Sequence, residues 1–92
     1  MKTYLITYDL NKPGQDYSKL FDGIKALGAW GHYLDSTWII KTQLNATQIR
    51  DRLNPPVIDS NDGLLVVRLQ GDWASWMKLD ANEWFQNNIT PE

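Results

Sequence analysis

The feature that most constrains this chain is the order in which its apolar spacing changes. Between Lys2 and Leu69 it switches from a strand period near two to a helical period near 3.6 and back, twice. Residues 2–8 carry Tyr, Leu, Ile and Thr with no Gly or Pro, a strand composition. Asn11, Pro13 and Gly14 place a loop over residues 10–15. Tyr17, Leu20, Phe21, Ile24 and Leu27 then recur on one helical face, with Asp16 as the expected N-cap and Gly28 as the expected left-handed C-cap.

Two strand-like runs follow, Trp30–Leu34 and Thr37–Thr42, separated by Asp35-Ser36 as in a β-hairpin. In the second run Thr37, Ile39, Ile40 and Thr42 are β-branched. The strand period puts Trp38 and Ile40 on one face and Thr37, Ile39 and Lys41 on the other. Asn45 and Gln48 have capping-box spacing, and Leu44 and Ile49 are placed as a hydrophobic staple. Pro55-Pro56 ends that helix. The run from Leu64 to Leu69 is nearly all apolar, which predicts a strand covered on both faces.

The order β-α-β-β-α-β predicts an α+β, ferredoxin-like fold, a four-stranded antiparallel sheet with two helices on one face. Residues 1–70 would form this domain. Residues 71–92, with Trp73, Trp76 and Trp84, would form a tail packed on the sheet or on a dimer partner, and Asp80 and Glu83 are candidates to cap a short last helix. The sheet face away from the helices is left bare, and in so small a domain such a face predicts a homodimer.

Ninety-two residues suit one core, since a chain this short buries only about 60–65% of its unfolded surface. There is no cysteine, so disulfides and thiolate metal sites are excluded, and a reducing cytoplasm is expected. No apolar run reaches the roughly 18 residues of a membrane-spanning helix, and Met1-Lys2-Thr3-Tyr4 enters a strand pattern directly, leaving no room for a signal peptide. The net charge of −2 argues against broad, sequence-independent binding of nucleic acid. That acidity sits in the tail, where Lys78 faces Asp72, Asp80, Glu83 and Glu92.

Asp9 ends the first strand and has two readings. A strand-end carboxylate caps the following turn. It can also be held rigidly while reaching solvent, which suits metal binding or acid/base chemistry. Lys12 shares its loop and is the best placed lysine for a phosphate; Lys19 and Lys25 fall on the first helix, and Arg50 and Arg52 read as a solvated face. His32, the sole histidine, lies mid-strand and reads as a half-buried cross-strand neighbour.

Thr7-Tyr8-Asp9-Leu10 with Pro13-Gly14-Gln15-Asp16-Tyr17, then Trp30–Leu34 and Asp35-Ser36-Thr37-Trp38, resembles the Cas2 superfamily, and most nearly the small Cas2-like proteins labelled the SinR family. The resemblance covers most of residues 1–70. It implies a homodimer in which Asp9 from each subunit binds magnesium for phosphodiester hydrolysis of RNA or DNA. Tyr8, Asn11, Lys12 and Ser36 would then lie against the substrate. Some members of that family instead act without catalysis, as structural subunits of a larger complex, so a binding or scaffold module for a protein or nucleic-acid complex is the alternative. The chain departs from the family pattern in offering only Lys12, Lys19 and Lys25 in the loop and first helix, and in lacking a glutamine before the third strand.

Overall fold

The structure is a computed structural model, and it describes residues 1–9, 17–53, 62–74, 76, 83–84 and 87–88. Its elements follow the expected order: β1 (Lys2–Asp9), α1 (Ser18–Lys25), β2 (Ala29–Leu34), β3 (Thr37–Thr42), α2 (Ala46–Leu53) and β4 (Gly63–Arg68). The strands form one sheet in the order β2-β3-β1-β4. Every neighbouring pair is antiparallel, so the fold is α+β with a ferredoxin-like arrangement. β1 is central, pairing Ile6 with Trp38 on one side and with Val66 on the other.

Alternation along the strands separates two faces. Tyr4, Ile6 and Tyr8 of β1 join Trp38 and Ile40 of β3 in the main core. α1 adds Leu20 and Ile24, and α2 adds Ile49 and Leu53. Fully burying each such aliphatic side chain is worth about 1.5–3 kcal/mol. The opposite face has a smaller cluster, in which Ile39 is packed by Leu5, Leu69, Trp73 and Trp84. That face is therefore partly covered by the chain's own C-terminal residues.

α2 begins as its sequence dictates. The Gln48 N–H donates to Asn45 Oδ1 at 2.8 Å, and the Asn45 N–H donates to Gln48 Oε1 at 2.9 Å, a closed capping box. α1 departs from expectation at both ends. It starts at Ser18 with Tyr17 in the cap position and no side-chain cap bond; Asp16 lies outside the described residues. It ends in a tight turn, with the Ala26 N–H on the Asp22 carbonyl at 3.1 Å and the Leu27 N–H on the Ile24 carbonyl at 3.0 Å. Gly28 is not a left-handed αL cap, because its φ of 158° lies far from the αL value, although L side chains rarely adopt it either. It is glycine because the backbone passes so close to the Lys41 carbonyl that a Cβ would collide with that oxygen.

β4 also differs. The apolar run predicts cover on both faces, yet Leu64 and Val66 face the core while Leu65 and Val67 remain 57% and 41% exposed. As an outer strand, β4 receives helices on one face, and the described tail residues pack further in, on Ile39. Of the expected tail features, Glu83-Trp84 is helical, whereas Asp80 lies outside the described residues. Among the described residues no helix is long and apolar enough to cross a membrane.

Candidate functional site

The C-terminal end of β1, the β2–β3 turn and the start of β4 meet at one end of the sheet, and the candidate residues gather there. Asp9, the last residue of β1, is exposed and stands opposite Gly63. Thr7, Tyr8, Asp9, Gly63, Leu64 and Leu65 line an open depression at this corner. By alternation Asp9 projects on the same face as Thr7 and Leu5, away from the helices.

Tyr8 turns the other way and is buried. Its hydroxyl accepts the Trp38 indole N–H at 3.2 Å and donates to the Asp35 carbonyl at 3.2 Å. Burial raises the phenol's pKa above its usual value; the Trp38 hydrogen bond opposes this, and the nearby Tyr17 and Asp35 charges reinforce it. With its hydroxyl engaged on both sides, Tyr8 works as a strut beneath Asp9.

The hairpin turn is tied to β1 through two carbonyls. The Ser36 carbonyl accepts the Tyr8 N–H and the Thr7 hydroxyl, each at 3.1 Å. The Asp35 carbonyl accepts Tyr8 Oη and lies 3.0 Å from His32 Nε2, a contact that a proton on Nε2 makes a hydrogen bond. The His32 ring stacks on Trp38 with centroids 3.9 Å apart and planes at 11°, and Phe21 closes the cluster at 5.5 Å. His32 is thus the half-buried cross-strand neighbour its position suggested. Trp38 is the hub that ties Tyr8, His32, Phe21 and Trp30 together, a role that its interior strand position alone did not reveal.

Of the residues singled out in the sequence, the structure brings Tyr8, Asp9 and Ser36 to one corner. Asn11 and Lys12 lie outside the described residues. Lys25 is drawn away to the far end of α1, where its ammonium sits 5.0 Å above the Trp30 ring. Arg50 is exposed and paired with Asp51 at 2.9 Å.

A magnesium site needs one or two carboxylates, with waters and substrate phosphate completing six oxygens. Among the described residues no three His, Asp or Glu side chains come together. Asp9 is one exposed carboxylate, and the magnesium site that the resemblance implies draws its second Asp9 from another subunit.

No family model, no curated protein and no solved structure matches this chain.

Proposed function

We propose that this chain works as a Cas2-like homodimeric module that binds or scaffolds a protein or nucleic-acid complex. The observation that carries this reading is the outer strand β4, which leaves Leu65 and Val67 exposed side by side on the sheet face away from the helices. Apolar side chains spaced along an outer strand favour association with another polypeptide. The near-neutral body and acidic tail favour a protein over a phosphate backbone as the further partner. The lack of cysteine suits a reducing compartment, and we place the dimer in the cytoplasm.

A second reading is a metal-dependent endonuclease acting on RNA or DNA. The exposure of Asp9 at the end of the central strand favours it, because a strand-end carboxylate is rigid and reaches solvent. It requires Asp9 from two copies to approach each other, since the described residues of one chain do not complete the site. The neighbouring Tyr8 and His32 offer little chemistry, as both are engaged in holding the hairpin turn.

Sedimentation of the purified chain tests the module, and a monomer at all concentrations would remove it. Labelled RNA and duplex DNA, incubated with and without magnesium, separate the two readings. The scaffold reading expects no cleavage. Magnesium-dependent cleavage that disappears in Asp9→Asn would replace it with the nuclease.

A further inference from the structure

We infer that two copies of this chain join edge to edge through β4, antiparallel, in the register that sets Leu65 opposite Leu65 of the second copy. This deepens the homodimeric reading and rests on it. Three features of β4 carry the inference.

The first is which backbone groups point outward. The Leu69 N–H donates to the Thr3 carbonyl at 2.8 Å, which makes the odd-numbered residues the ones bonded to β1. The N–H and C=O groups of Leu64, Val66 and Arg68 therefore point away from the sheet, and β4 pairs with no strand but β1 among the described residues. The second is the absence of the devices that keep such an edge single. Gly63–Arg68 pairs regularly with β1, has no proline or bulge and carries no charge before Arg68. β2, the other outer strand, has a register shift between Gly31 and Leu34, and Trp84 packs against it at Gly31.

The third feature is self-complementarity. Two-fold pairing centred on Leu65 places Leu64 opposite Val66 of the second copy, where each pair exchanges both backbone hydrogen bonds. It sets Val67 against Gly63, which has no side chain to crowd it. It also sets Asp62 opposite Arg68 at both ends of the run. Opposite charges at the ends of an apolar segment suit this antiparallel alignment of two copies, and a parallel one would put like charges together. Shifting the centre to Val66 would set Asp62 against Gln70 and forfeit both charge pairs.

Asp9 lies one strand inside β4, level with Gly63. Three strand spacings and four residues of rise would hold the two Asp9 roughly 20 Å apart. They would not share a metal ion.

The chain has no cysteine, so single-cysteine variants give an unambiguous test. Leu65 is exposed, and Leu65→Cys leaves the core intact. A directly opposed pair whose backbone bonds point away from the interface has Cα atoms about 4.5 Å apart, within disulfide range. Under mild oxidation Leu65→Cys should form disulfide-linked dimers at least about tenfold more readily than Asp9→Cys, whose thiols would be far beyond reach. A wild-type dimer whose Leu65→Cys variant does not cross-link overturns the edge geometry and leaves the homodimer standing. Cross-linking through Asp9→Cys would also overturn it, in favour of the paired-carboxylate arrangement. A wild-type chain that stays monomeric overturns both.

Discussion

The Trp38 indole N–H donates to the Tyr8 hydroxyl at 3.2 Å, and that hydroxyl donates in turn to the Asp35 carbonyl. One phenol oxygen thus links β3, the inner strand of the hairpin, with the central strand β1 and the turn between β2 and β3. Trp38 is 1% exposed, so its N–H has no ready access to water if the phenol oxygen is removed. Tyr8→Phe should therefore cost about 1–3 kcal/mol in urea unfolding, the range for stranding a buried donor. Combined with Trp38→Phe, the double variant should lose less than the sum of the singles, since the two share one interaction.

Tyr8 also predicts the direction of the alkaline limb of stability. Its pKa is raised in the fold, chiefly by burial, from an ordinary value of 10.0. The native state thus retains a proton that the unfolded chain gives up near 10.0, and this contribution is fully present below that pH. It is lost as pH rises from 10.0 through the raised native value. The stability difference between wild type and Tyr8→Phe should shrink progressively above about pH 10. A difference that stays constant or grows there would show that the phenol is not held protonated.

Gly28 and Gly63 make opposite predictions from similar sequence contexts. A Cβ on Gly28 would strike the Lys41 carbonyl, a backbone atom of the neighbouring strand that cannot swing aside. Gly28→Ala should destabilise by more than about 1 kcal/mol, because backbone must move. At Gly63 the nearest atom to an added Cβ is Asp9 Cβ at 3.9 Å, an ordinary contact. Gly63→Ala should stay within about 0.5 kcal/mol of wild type. Chemical denaturation of the pair checks both.

The contrast between these glycines shows what was legible in the sequence. The residue type at Gly28 signalled a helix end, but glycine is needed there for its positive φ and for the close pass of a strand 13 positions later, which no local pattern reports. The elements themselves were legible because each carried a local signal. The capping box fixed the start of α2, and the β-branched run fixed β3 at Thr37–Thr42. The apolar run in β4 gave its strand state but not its one-sided burial, since Leu65 and Leu64 are the same residue type on opposite faces. At the candidate site, Asp9 was visible as a strand-end carboxylate. The use of Tyr8 as a strut was not, because it depends on Trp38 and Asp35 arriving from the hairpin.

The capping box at α2 can be measured directly. Asn45→Ala removes the acceptor for the Gln48 N–H and should cost about 0.5–2 kcal/mol. Gln48→Ala removes only the reciprocal bond to the exposed Asn45 N–H, which water replaces, so its cost should be smaller. Equal losses from the two variants would show that the box acts through something other than these two bonds.

Trp84 and Asn88 hold C-terminal residues on the open sheet face. Trp84 packs against Ile39, and a Cβ on Gly31 would lie 3.1 Å from its ring. The Trp84 carbonyl accepts the Asn88 side-chain amide at 2.7 Å, and the Asn88 carbonyl accepts the Thr3 hydroxyl at 3.1 Å, tying both residues to β1. Trp84→Ala should uncover Ile39 and cost about 1–3 kcal/mol, less than a fully buried tryptophan because Trp84 is half-buried. Gly31→Ala should push the indole off the sheet, destabilise in the same direction and shift the tryptophan fluorescence toward a more solvated environment. The decisive comparison is Gly31→Ala in the Trp84→Ala background. There the added methyl meets no indole, although Tyr33 still lies 3.0 Å away, so most of its cost should vanish. An undiminished cost would mean that Gly31 is required by its own strand and not by the tail that rests on it.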